Sequence, residues 1–241
     1  MKLSTPIYNL KRRAKTLSRQ DKIPLHAALD SVAQGQGFQN WSLLASRVAS
    51  PSPATKMLEL IAPGDLVLLG ARPGQGKTLM GVGIVAKSIR KGHHGWFFTL
   101  EWNQNDVEEC LRFLGEENIG SSDRYHFDGS DSISAAYIID KLSNAAAGTI
   151  AVIDYLQLLD QKRSAPSLSE QVSDLKAFAS KQKITILCVS QVDRSFEYSD
   201  KPTPSFSDVR LPNPLDLTLF DRACFLHDGK VSYASQTTLS V

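Results

Sequence analysis

Residues 66–82 read LVLLGARPGQGKTLMGV. An apolar run, a glycine-bearing bend and a helical pattern (Leu79, Val82, Ala86, Ile89) follow one another in that order. The bend, Ala71-Arg72-Pro73-Gly74-Gln75-Gly76-Lys77-Thr78, has the spacing of a phosphate-binding loop, with Ala71 where the first glycine usually stands. Gly74 and Gly76 allow backbone N–H groups to turn inward onto phosphate oxygens at the N-terminus of the following helix. Lys77 is expected to reach the terminal phosphates, and the Thr78 hydroxyl to ligate Mg²⁺. The residues expected around the phosphates are Arg72, Pro73, Gly74, Gln75, Gly76, Lys77, Thr78 and Leu79.

Working outward, three more apolar runs end in polar residues. Ile150-Ala-Val-Ile-Asp154 ends in a carboxylate. In a parallel sheet the carboxyl ends of the strands line the ligand crevice, which puts Asp154 beside the phosphates as a second Mg²⁺ contact; a cap after a core strand is the alternative. Trp96-Phe-Phe-Thr-Leu-Glu101 ends in another acid. Glu101 is the candidate general base for a water attacking the γ-phosphate, the alternative being a surface glutamate that starts the next helix. Ile184-Thr-Ile-Leu-Cys-Val-Ser190-Gln191 ends in an amide. Gln191 is placed to sense the γ-phosphate, or else is a satisfied loop amide.

The rest of the chain sets these segments in order. With 241 residues, 42% apolar and 22% charged, collagenous and disordered classes are excluded and a sizeable core can be buried. No apolar run is long enough to span a bilayer, and the charged N-terminus MKLSTPIYNLKRRAK does not read as an export signal, so a cytoplasmic protein with no membrane partner is expected. Cys110, Cys188 and Cys224 are too few and too scattered for a disulfide framework or a zinc site. His93-His94 offers no second ligand pair for a metal.

Charge is uneven. Residues 1–50 carry eight Lys/Arg against Asp21 and Asp30, a local +6 that leaves −4 for the remainder of a chain whose net charge is +2. Residues 1–48 read as a small basic all-α module: a helix capped at Thr5-Pro6 with Ile7, Leu10, Ala14 and Leu17 inward, a second from Pro24 to Gly35/Gly37, and a third from about Asn40 anchored by Trp41. Residues 49–56 have linker composition, and 57–241 form the second domain. There strands (65–70, 95–100, 125–127, 150–153, 184–189, 223–227) alternate with helices (from 78, 106–114, 132–146, 167–181). That alternation predicts an α/β fold: a central, mostly parallel sheet covered by helices on both faces.

Residues 60–229 resemble the RecA-like ATPase domain of DnaB-type replicative helicases. The resemblance rests on GARPGQGKT (70–78), FFTLEW (97–102), IAVIDYLQLL (150–159), LKAFASKQKITILCVSQVDR (175–194), SDVR (207–210) and DRACFLHD (221–228). It implies a RecA-like P-loop NTPase that hydrolyses ATP with Mg²⁺ and couples hydrolysis to DNA. It also implies Lys77, Glu101 and Gln191 as catalytic residues, Thr78 and Asp154 as metal contacts, and self-association into a hexamer or another ring. Two departures stand out. No arginine follows Arg222, where that family has a basic segment supplying an arginine finger, and residues 211–216 read LPNPLD instead of the family's pattern. A nucleotide-switched oligomerising or binding protein is therefore the alternative to a DNA helicase-like ATPase.

Two surfaces are candidates for nucleic acid. Lys11, Arg12, Lys15 and Arg19 form one helical stripe, with Arg13 nearby; it could meet DNA phosphates or be a solvated face. Residues 194–213 interleave Arg194, Lys201 and Arg210 with Phe196, Tyr198 and Phe206. That pattern suits stacking on single-stranded DNA, or a loop pinned by prolines.

Overall fold

The structure is a computed structural model that describes residues 7–49, 51–160, 166–211 and 213–235. Two compact units divide after Ser52.

The first unit contains α1 (Ile7–Gln20), α2 (Leu25–Gln34) and α3 (Trp41–Ala49). Leu10, Ala14, Ala28, Val32, Ala33 and Leu44 make its core, with Trp41 packed against it. Asp30 fixes the start of α3 by accepting the Trp41 N–H at 2.8 Å. The expected Thr5-Pro6 cap lies outside the described residues.

The expected linker is shorter than its composition suggests. Residues 53–56 belong to α4 (Pro53–Leu60), so the larger unit begins at Pro53 and not at residue 57. Proline is tolerated in a first helical turn, and Ala54 and Met57 are buried in the larger unit's core, which anchors this otherwise exposed helix to it.

The larger unit is built on a seven-stranded sheet. In chain order it contains β1 (Leu66–Ala71), α5 (Lys77–Arg90), β2 (Gly95–Thr99), α6 (Gln104–Leu114), β3 (Tyr125–Asp128), α7 (Ala135–Leu142), β4 (Ile150–Asp154), α8 (Leu168–Gln182), β5 (Thr185–Gln191), β6 (Arg222–His227) and β7 (Lys230–Ser235). The sheet order is β3-β2-β4-β5-β1-β6-β7. All pairings are parallel except β6–β7. The strands read as continuous apolar runs because both faces are covered. Along β1, Leu66 and Leu68 enter one core with Val172 and Leu175 of α8; Val67 and Leu69 enter the other with Ile84 and Val85 of α5.

Three elements depart from expectation. β7 lies beyond the last expected strand: its residues are only partly buried, and it pairs with β6 through a turn in which Asp228 (φ 47°) and Gly229 (φ 71°) are left-handed. The helix expected over 132–146 is confined to Ala135–Leu142, because Ser134 caps it through the Tyr137 N–H. Residues 194–213 hold two short 3₁₀ segments, Arg194–Tyr198 and Phe206–Asp208.

At the β2–β3 edge, aromatic rings stack: Trp96 lies on both Phe98 and His126, and His126 on His94, with the facing His94 Nδ1 and His126 Nε2 3.2 Å apart. Burial, then the His94 neighbour, hold the His126 pKa below its ordinary value. A folded state that disfavours protonated His126 binds fewer protons than the unfolded chain below about pH 6.5, so stability is complete above that pH and is lost as the pH falls. We expect the urea midpoint to drop between pH 7.5 and 5.5, and His126→Phe, which keeps a stacking ring, to reduce that drop. An equal drop in the variant would assign the acid sensitivity elsewhere.

Candidate nucleotide site

The site begins where β1 hands over to α5. Gly74 and Gly76 both sit in the left-handed region, at φ 77° and 83°, where glycine alone is unstrained. A Cβ at either position would meet nothing within 4 Å, so open space lies over both. Gly76 is the N-cap of α5; no side chain caps that end and no acid lies in its first turn. The first N–H groups of the helix are thus left for an outside acceptor, and the helix dipole favours an anion there.

Register brings the other groups to the same edge. Thr99 pairs with Asp154, Asp154 with Val189, and Ala71 with Gln191. The C-terminal ends of β2, β4, β5 and β1 therefore finish side by side, and Glu101 follows β2 with its N–H donating to Thr99 Oγ1 at 3.1 Å. Asp154 is fully buried, and among the described residues neither of its carboxylate oxygens has a hydrogen-bond partner of good geometry, the Thr78 hydroxyl lying beside it. The ammonium of Lys77 approaches Asp154 Oδ1 to 3.9 Å. Burial pushes the Asp154 carboxyl above its ordinary range, Lys77 and the Thr78 hydroxyl pull it back, and the charge of Glu101 pushes it further up.

An orphaned, buried carboxylate beside a buried threonine is costly in an otherwise apolar setting. It suits a hard divalent cation, which prefers oxygen donors and would satisfy both the charge and the lone pairs. The donor set at Thr78 and Asp154 therefore fits Mg²⁺.

Other expected site residues already have partners. Arg72 donates from Nη1 to the Val192 carbonyl at 3.0 Å and from Nε to Glu197 at 2.8 Å, so its guanidinium faces the segment after β5. Gln75 Oε1 accepts from the Asp228 N–H at 2.8 Å, tying the loop to the β6–β7 turn. Gln191 Oε1 accepts from Arg210 Nη1 at 3.3 Å, and its carbonyl accepts from the Arg210 N–H at 2.8 Å. Pro73 is exposed, and Leu79 lines a cleft of ≈ 610 Å³ with Trp102, Cys110 and Phe113.

Sequence reasoning missed three participants. Glu197 is the partner of Arg72, the Asp228 backbone holds Gln75, and Gln157 donates from Nε2 to Ser190 Oγ at 3.3 Å and to the Arg210 carbonyl at 3.0 Å. Only Gln157, inside the apolar run after Asp154, carries any sequence signal, as a lone amide among leucines.

The stacking surface expected over 194–213 is largely withdrawn. Phe196 is buried edge-on against His227, Phe206 packs edge-on against Phe225, and Lys201 is paired with Asp208 at 3.0 Å. Tyr198 is 81% exposed, and Arg194 and Arg210 are exposed too. Among the described residues no group of three or more His, Cys, Asp or Glu could by itself hold a metal.

Comparison with known proteins bears on this architecture. The family profile of the DnaB-like helicase C terminal domain matches residues 125–217, which include β4, β5 and their polar ends. Over those residues the larger unit is similar to the DnaB-like helicase C terminal domain. The replicative DNA helicase DnaB of Helicobacter pylori is 26% identical over 194 residues, covering 65% of this chain and 40% of that protein. The DnaB of Synechocystis is 26% identical over 232 residues, covering 80% of this chain and 25% of that protein. The chain thus spans less than half the length of these two relatives. Among solved structures, an isolated ATPase domain superposes with a TM-score of 0.56 at 20% identity, over 73% of this chain and 81% of that one. A DnaB-like replicative helicase, solved in a study of its interactions with primase, superposes at 0.60 with 17% identity, over 95% of this chain and 73% of that one. The larger unit accordingly has the RecA-like fold, and no helix of the described residues is long and apolar enough to cross a membrane.

Proposed function

We propose that this protein is a Mg²⁺-dependent, DnaB-like ATPase that acts on DNA. The observation that carries this reading is one sheet edge where an uncapped, glycine-bearing helix start, a buried orphan carboxylate and an exposed glutamate converge. In this reading, the N–H groups around Gly74, Gly76 and the first turn of α5 bind the phosphates, and Lys77 neutralises the charge that develops on them. Thr78 and Asp154 would hold Mg²⁺, which would supply further charge neutralisation on the phosphate oxygens. Glu101 accepts a proton from the attacking water, a task suited to a carboxylate that keeps access to solvent. Gln191 and Arg72 link the phosphate end of the sheet to residues 193–210, through Arg210 and through Glu197. This linkage offers a route by which loss of the γ-phosphate changes the position of that segment. Self-association into a ring and a cytoplasmic setting accord with the DnaB-like unit.

Phosphate release from ATP by the purified chain, with Mg²⁺ and with or without single-stranded DNA, tests the proposal. Turnover should rise several-fold with DNA and should fall by about 10²-fold or more in Lys77→Ala, which removes a phosphate-clamping charge. Turnover that ignores DNA would leave a nucleotide-switched binding protein. Absence of both turnover and MgATP binding would overturn the reading altogether.

A further inference from the structure

The small N-terminal unit plays no part in the chemistry above, yet it holds the densest charge in the chain. Lys11, Arg12, Arg13, Lys15 and Arg19 of α1 are all exposed, and among the described residues none of them forms an ion pair. α1 contains no acid from Ile7 to Gln20. The unit's two acids do not interleave with this charge: Asp21 follows the helix, and Asp30 is engaged at the Trp41 N–H.

An ordinary solvated helix face interleaves acids and bases at i, i+4, each such pair adding about 0.2–0.5 kcal/mol. Here Lys11–Lys15 and Lys15–Arg19 stand at that spacing with like charge, so the face is self-repelling and gains from an external polyanion. At 100° per residue, Lys11, Lys15, Arg19 and Arg12 fall within an arc of about 100°, along about 12 Å of helix axis. That length of duplex DNA carries about seven phosphates, a charge density that four cations in a row can match. A membrane surface fits less well. The apolar side chains Leu10 and Ala14 of the same helix are buried in the unit's own core and cannot insert into lipid. Beside the stripe, Arg13, Thr16 and Gln20 edge a cleft of ≈ 470 Å³ shared with Ser31 and Gln36 of the segment around α2, adding a cation and neutral donors to the same region.

We propose that the exposed face of α1 is a nucleic-acid docking surface that grips the phosphate backbone of duplex DNA without reading its sequence. It works independently of nucleotide and of the ATPase site.

The test uses the full chain, a fluorescein-labelled 20-bp duplex, no ATP and no Mg²⁺, with binding read by anisotropy across a salt series. Each phosphate contact contributes about −0.9 to the slope of log affinity against log salt, so α1 should supply about −3 to −4. The combined variant Lys11→Gln, Arg12→Gln, Lys15→Gln, Arg19→Gln should flatten the slope by about 3 and weaken binding at least tenfold at low salt. The charge-preserving exchange Lys11→Arg, Arg12→Lys, Lys15→Arg, Arg19→Lys should keep both. If the fourfold variant lost its helix signal in circular dichroism, the single substitutions, each flattening the slope by about 1, would carry the test. Binding of the folded fourfold variant within twofold of the parent at unchanged slope would overturn the proposal. So would poly-glutamate competing as well as duplex at equal charge. Lys77→Ala, which tests the ATPase reading, should leave this binding intact, so the two can fail separately.

Discussion

Glu101→Gln is expected to lower the turnover number for ATP by about 10²–10⁴-fold while leaving the Michaelis constant nearly unchanged, the range typical of a removed general base. At about 1.4 kcal/mol per decade, this is about 3–6 kcal/mol of transition-state stabilisation. The substitution is conservative because Glu101 is exposed and its backbone N–H, which glutamine retains, donates to Thr99 Oγ1. Glutamine keeps the size and that backbone contact but cannot accept a proton from water. Steady-state phosphate release alongside calorimetric titration of MgATP separates chemistry from binding. A turnover number within threefold of the parent would remove Glu101 from the reaction.

Asp154→Asn should act on binding as well as on chemistry. With ligand at a hundred times its dissociation constant, a folded protein gains about 2.7 kcal/mol. For a unit of this size that is a rise of about 5–10 °C in melting temperature. We expect MgATP to produce such a rise in the parent chain, ATP with a chelator to produce much less, and Asp154→Asn to lose the difference between the two. The unliganded variant should melt no lower than the parent. Asp154 is fully buried, so an amide there removes a charge that only Lys77 at 3.9 Å and the Thr78 hydroxyl offset. Thermal unfolding of both proteins under the three conditions provides the check. An undiminished Mg²⁺-dependent rise in the variant would show that Asp154 is no metal contact.

Much of this protein is legible one segment at a time. The proposed phosphate loop declares itself because the chemistry proposed for it needs consecutive residues: two glycines for left-handed backbone, then a lysine and a threonine opening a helix. The strands ending at Asp154 and Gln191 declare themselves because both faces of a parallel sheet are covered, which writes an unbroken apolar run that stops where the ligand edge begins. These are local demands, so sequence alone determined them.

Contacts between distant segments were decided elsewhere. Strand order and register place Thr99 against Asp154 and Ala71 against Gln191, and so gather groups that are tens of residues apart onto one edge. The Arg72 side chain, inside the loop motif, turns to Glu197 and the Val192 carbonyl, 120 or more residues away. Phe196 and Phe206, which alternate with cations along the chain, meet His227 and Phe225 and leave solvent. Strand β7, with its half-polar face, forms because β6 offers an open edge beside it. In each case the partner lies across the fold, and a side chain's environment depends on neighbours that only the packed chain supplies.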